Sequence, residues 1–321
     1  MSHLADKRVV VTGGASFLGK HVVRKLQEMG CKDLFVPRSA QYDLTRMEDV
    51  VRMYEDARPE IVIHLAAKVS GIGYIKDRPG EFFYDNLVMG TQTMEQGRRC
   101  GVEKFVAIIT VCAYPKHAPI PFREEDLWSG YPEETNAPYG LAKKMLIVQA
   151  QAYRHQYGFN AVCLLPANLY GPGSNFDPSF SHVVPAVIRK CIEAKEEGHD
   201  YIEVWGSGNA SREFLYVEDC AEAVVLASER YNGPEPINVG SGQEVTIQQV
   251  AEAIAGLTGY RGRIRWDPTK PEGELRRCLD TSKAEIEFGF KARTPLELGL
   301  ENTIGWYLEQ RAQGLPCGHA T

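Results

Sequence analysis

The feature that most limits what this chain can fold into is its opening. An apolar run at 8–12 leads directly into Thr12-Gly13-Gly14-Ala15-Ser16-Phe17-Leu18-Gly19, and a helical pattern follows at 19–29. A buried strand, a glycine-rich turn and a helix in that order make the first unit of a doubly wound α/β fold. The alternation continues: strand-like runs at 33–36, 61–65, 104–109 and 161–166 are separated by helical spacing at 47–57, 86–100 and 139–157. Such alternation predicts a parallel Rossmann sheet with helices on both faces. After residue 170 a loop rich in Gly, Pro and Asn covers 171–178, a helix is expected at 183–195, and short strands and helices run to the end. The expected division is a dinucleotide-binding domain over 1–170, to which later segments return, and a smaller α/β substrate lobe over 171–321.

With 321 residues and 44% hydrophobic content, the chain can bury a sizeable core. A net charge of −6 with scattered Lys and Arg offers no basic stripe, so neither nucleic acid nor an anionic membrane is expected as a partner. Residues 1–7 lack the zones of a signal peptide, and no apolar run approaches the roughly 18 residues of a membrane span, so a cytoplasmic protein is expected. The eight cysteines include no CxxC pair; they are expected as free thiols, with no metal site.

Glycines at the first strand-to-helix turn let backbone N–H groups approach a pyrophosphate at a helix N-terminus. This makes Gly13, Gly14, Ser16, Phe17, Leu18 and Gly19 a candidate cofactor cradle. The second strand ends Val36-Pro37-Arg38-Ser39, where an NAD enzyme usually carries an acid for the ribose. An arginine and a hydroxyl suit a 2′-phosphate instead, so NADP(H) is the expected cofactor. Asp43 is expected to cap the next helix.

Tyr139 and Lys143 stand four residues apart at the start of a helix, on one face. An ammonium beside a phenol favours phenolate, so the pair predicts a tyrosine that exchanges a proton near neutral pH. Thr110, at the end of the preceding strand, can hydrogen-bond the substrate oxygen that Tyr139 protonates.

Together the glycine turn, His64-Leu65-Ala66-Ala67, a hydroxyl residue before YxxxK, and Pro166-Ala167-Asn168-Leu169-Tyr170-Gly171-Pro172 resemble the extended short-chain dehydrogenase/reductases. Thr110-Val111-Cys112-Ala113-Tyr114, Ser181-His182-Val183, Val204-Trp205-Gly206 and Arg212-Glu213-Phe214 narrow the resemblance to the GDP-L-fucose synthase family. The resemblance implies epimerisation of a GDP-linked 4-keto-6-deoxy sugar at C3 and C5, followed by reduction at C4 with NADPH. It gives Cys112 the role of general base and His182 that of general acid, and adds Ala66, Ala67, Pro166, Asn168, Leu169, Lys143 and His182 to the cofactor site. For the substrate it points to Arg189 or Lys190, Trp205, Arg212 and Lys270, and it implies a homodimer through the helices at 86–100 and 139–157. Gly173-Ser174 stands where the family tends to have His-Asp, which leaves a related sugar such as a heptose open. A nucleotide-sugar 4-epimerase retaining NAD, which has no use for Cys112 and His182, and a nonenzymatic NADP-binding module are the rivals.

Overall fold

A computed structural model describes residues 3–70, 72–270 and 273–315. The first half runs β1 (Arg8–Thr12), α1 (Phe17–Glu28), β2 (Asp33–Phe35), α2 (Met47–Ala57), β3 (Ile61–His64), α3 (Ile72–Asp77), α4 (Pro79–Arg99), β4 (Lys104–Ile108), α5 (Ala137–Tyr157) and β5 (Ala161–Pro166). There follow β6 (Asn168–Tyr170), α6 (Val183–Glu197), β7 (Tyr201–Trp205), β8 (Ser211–Tyr216), α7 (Val217–Arg230), β9 (Ile237–Val239), β10 (Glu244–Thr246), α8 (Ile247–Thr258), β11 (Arg263–Asp267), β12 (Arg276–Arg277), α9 (Ser282–Phe288) and α10 (Leu296–Ala312).

The main sheet is parallel in the order β2-β1-β3-β4-β5-β9. Its central strands are buried end to end, which is why they read as unbroken apolar runs rather than alternating ones. From β1 the chain passes to β2 on one side, and from β3 to β4 on the other, so the order reverses between the carboxyl ends of β1 and β3. A crevice opens at such a switch point. Strand β9 and helices α7 and α9 pack onto this sheet and α1, and a second apolar cluster gathers α6, β7, α8 and α10. Strand β6 carries the chain from β5 to β8, which β10 and β12 flank. No helix among the described residues is long and apolar enough to cross a membrane.

Two local expectations are corrected. Helix α4 begins at Pro79 rather than 86: proline at the first helical position is pre-organised for a start, and Asn86 sits inside as a buried hub whose Nδ2 donates to the Phe82 and Lys68 carbonyls. Asp43 does not cap α2, whose N-cap is Arg46. Its carboxylate instead accepts from the Thr45 amide and hydroxyl at 2.9 and 2.7 Å, closing a local turn that competes with capping.

Candidate active site

At the switch point, Gly13 has φ of +68°, and a Cβ there would meet the Ala66 amide nitrogen at 2.8 Å. The β1 turn therefore lies directly against the end of β3, with Ala66 and Ala67 beside it. A Cβ on Gly19 would fall 2.0 Å from the Gly13 carbonyl oxygen, so α1 starts flush on the turn. Ser16 is the N-cap of α1, its Oγ accepting from the Gly19 amide at 3.3 Å. A serine at this N-cap stabilises the helix by about 1 kcal/mol over alanine. The amides of Ala15, Phe17 and Leu18 have no protein acceptor among the described residues. Glycine space, unpaired amides and a helix N-terminus together fit a pyrophosphate. At the end of β2, Val36 touches Gly14; two residues on, Arg38 and Ser39 are exposed, and the Arg38 guanidinium makes no hydrogen bond within the described protein.

Gly140 fixes the reacting groups. A Cβ there would stand 2.2 Å from the Cys112 carbonyl oxygen, so α5 rests on the short 3-10 turn Val111–Ala113. Thr110 is the N-cap of that turn and accepts from the Cys112 amide at 3.2 Å. The close approach brings the Tyr139 phenol near the Thr110 hydroxyl, close enough for each to influence the other. Behind them the Tyr114 hydroxyl donates to Asn238 Oδ1 at 2.7 Å, anchoring the turn to β9.

The electrostatics correct the expectation for Tyr139 and Lys143. Burial pushes the phenol above its ordinary value, and Cys112 adds to this while the nearby Thr110 hydroxyl opposes it. Lys143 is 2% exposed, and burial lowers its ammonium to about 8. Burial therefore works against the charged form of both groups, the phenolate of Tyr139 and the ammonium of Lys143. Lys143 also helps hold the buried His64 imidazole well below its ordinary value, after burial itself, while Thr12 Oγ1 lies 2.9 Å from His64 Nδ1.

Cys112 is half-buried, and its sulfur accepts from Arg277 Nη1 at 3.5 Å. His182 is the N-cap residue of α6 and makes no side-chain hydrogen bond to Thr110, Cys112 or Tyr139. Its ring is crowded by protein, which lowers its basicity, but it also meets solvent, which limits the effect. The loop carrying it is fastened by Phe180 against Tyr74 of α3, ring centroids 5.0 Å apart. Leu169 pairs with Leu215, and Asn168 Nδ2 donates to the Glu213 carbonyl, so these residues and Pro166 bridge the main sheet to β8.

Among the substrate candidates, Trp205 is 49% exposed rather than core, with Lys270 Nζ 5.8 Å from its ring centroid. Lys190 Nζ donates to the Glu203 carbonyl at 2.6 Å, Arg189 pairs with Glu193 at 2.7 Å, and Arg212 lies on β8 opposite Arg277 of β12. Sequence reasoning missed Arg277 and its partner Glu274. An Arg-Arg dipeptide carries no signal, and only the pairing of β12 with β8 delivers it to Cys112.

Residues 9–240 match the NAD dependent epimerase/dehydratase family. A GDP-L-fucose synthase 1 of Arabidopsis thaliana is 41% identical over 96% of this chain and 96% of its own. A GDP-L-fucose synthetase from Naegleria fowleri bound to NADP superposes with a TM-score of 0.87 at 28% identity, covering 97% of each chain. A GDP-6-OMe-4-keto-L-xylo-heptose reductase from C. jejuni superposes with a TM-score of 0.89 at 26% identity, covering 97% of this chain and all (100%) of that one.

Proposed function

Because the chain belongs to the GDP-L-fucose synthases within the NAD dependent epimerase/dehydratase family, we propose that it converts GDP-4-keto-6-deoxymannose to GDP-L-fucose, using NADPH. The observation that carries this reading is the meeting of a reductase pair with a half-buried thiol: Gly140 seats α5, and with it Tyr139, on the turn that Thr110 caps, and Cys112 follows two residues after Thr110 on that turn. A plain ketoreductase or a 4-epimerase needs the first two and not the third.

Protons beside the C4 ketone are acidic. The Cys112 thiolate takes one from C3 or C5, the C–H electron pair moves to the C4 oxygen, and the Thr110 and Tyr139 hydroxyls hydrogen-bond the resulting enolate. His182 delivers a proton to the opposite face, and solvent exchange restores both groups. When bound, NADPH supplies the hydride for C4. Tyr139 then gives its proton to the C4 oxygen, which its neutral form equips it to do, while Lys143 lies one turn behind it. The cradle from Gly13 to Gly19 with Ala66, Ala67, Pro166, Asn168 and Leu169 holds the dinucleotide, and Arg38 with Ser39 takes the 2′-phosphate. Arg189, Lys190, Arg212 and Lys270 serve the diphosphate, and Trp205 offers a face to the nucleotide.

The enzyme acts as a cytoplasmic homodimer through α4 and α5. Within one subunit these helices pack closely, Gly90 against Leu146, and their outer surface exposes Phe83, Tyr84, Val148 and Tyr157. Ile147 belongs to the core rather than to this face. A second reading, a related GDP-heptose as substrate, is favoured by Gly173-Ser174 and by the heptose reductase's similarity. Incubation with GDP-4-keto-6-deoxymannose and NADPH in D₂O, read by NMR, separates these. Deuterium at C3 and C5 with a reduced C4 is the expected product. Reduction without deuterium removes the epimerase assignment.

A further inference from the structure

Beside Cys112 lies a charged pair that neither hydride transfer nor cofactor binding uses. The Arg277 and Glu274 side chains are 9% and 7% exposed, joined by an Nε donor to Oε2 at 2.9 Å. Burying an arginine is costly unless its donors are satisfied, and here the Nη1 donor is aimed at the Cys112 sulfur, 3.5 Å away. A thiol accepts a hydrogen bond weakly, whereas a thiolate accepts a charge-assisted one.

We propose that Arg277 is a positioning residue for the epimerisation base, favouring the anionic form of Cys112 and fixing the direction of its sulfur, with Glu274 holding the guanidinium fork in place. This rests on Cys112 being the base. Burial works against the Arg277 charge, and Cys112 and Glu274 more than offset it, so the guanidinium is held above its ordinary value. From α5 the Tyr139 phenol approaches Cys112, and on its own turn the uncharged Thr110 hydroxyl accepts from the Cys112 amide; among the described residues the charged side chain hydrogen-bonded to the sulfur is Arg277, with Glu274 behind it. The proton balance is simple: a C–H bond breaks, an S–H bond forms, the electron pair goes to the C4 oxygen, and the guanidinium stays charged throughout. When the thiol later loses its proton to solvent, Arg277 is in place to receive the anion again.

The test is alkylation of the full-length protein by iodoacetamide between pH 6 and 9, followed peptide by peptide by mass spectrometry. Exposed Cys100 serves as the internal reference. Arg277→Met should slow Cys112 alkylation at pH 7 by about ten-fold and move its pH profile upward, since the thiolate is the reacting species. Cys100 should be unchanged, and Arg277→Lys should restore most of the rate. Deuterium incorporation at C3 and C5 should fall in parallel. An unchanged rate and profile at Cys112 in Arg277→Met overturns the proposal. Should that variant lose its native circular dichroism, Glu274→Gln decides: slower Cys112 alkylation supports the proposal, and an unchanged rate overturns it. If Cys112→Ser exchanges deuterium at the wild-type rate, the base assignment fails, and with it Arg277's part in epimerisation, whereas the alkylation rates still report its action on the sulfur.

Discussion

Replacing Gly140 with alanine sets two effects against each other. In a helix interior the change should stabilise by about 1 kcal/mol, because glycine is the more flexible in the unfolded chain. Against this, the new methyl group would lie 2.2 Å from the Cys112 carbonyl oxygen and 2.8 Å from its carbonyl carbon, where real Cβ atoms stay beyond 3.0 Å. Backbone on both sides cannot rotate away, so α5 and the 110–113 turn must separate by roughly 1 Å. Overpacking of this kind costs about 1–3 kcal/mol and sometimes more, so the clash wins or at best cancels the propensity gain. Function should suffer more than stability. Tyr139 adjoins the substituted residue, and a displacement of about 1 Å between reacting groups costs on the order of 100-fold. NADPH consumption should therefore drop by about that factor, with the melting temperature unchanged or lower by a few degrees, roughly 2–6 °C. Gly305→Ala in α10, where an added Cβ meets nothing within 4 Å, is the control, and should be neutral or slightly stabilising with full activity. A Gly140→Ala protein that is both fully active and more stable would refute the close approach of α5 to Cys112.

Lys143 has its folded-state titration lowered to about 8 from an ordinary 10.5; its stabilising contribution is complete above 10.5, is lost as pH falls toward 8, and leaves a buried charge below that. Lys143→Met should therefore stabilise the protein at pH 7 by up to about 3 kcal/mol relative to its effect at pH 10 while abolishing reduction, read from urea midpoints at the two pH values and from NADPH turnover. Arg38→Ala should weaken NADPH binding by about 1.5–3 kcal/mol and leave NADH binding unchanged, a difference that fluorescence titration measures directly. Cys112→Ser should suppress deuterium exchange at C3 and C5 while NADPH still binds, and Tyr139→Phe should do the reverse; equal exchange in Cys112→Ser and wild type would mark the thiol as a packing group. Val148→Asp on the outer face of α5 should convert a dimer to a monomer in sedimentation at micromolar concentration, and a wild-type monomer under those conditions removes the dimer.

The local signals were strong where the chain speaks through its neighbours. Apolar runs fully buried between two helical layers, the glycine turn at the end of β1 and the Tyr139/Lys143 spacing all follow from contacts short in sequence, so the parallel sheet and most element bounds were legible. The roles given to Cys112 and His182 came from resemblance, because a lone thiol and a lone imidazole carry no local pattern. Three matters were decided by tertiary structure alone. Burial, which no dipeptide reveals, pushes the Tyr139 phenol up and the Lys143 ammonium down. The reason for glycine at 140 appears only when α5 meets a carbonyl 28 positions earlier, at Cys112. Arg277 reaches the Cys112 sulfur across a sequence separation of 165, through the register of β12 on β8, and a register of that range is set by the packing of the whole lobe rather than by any residue near Arg277.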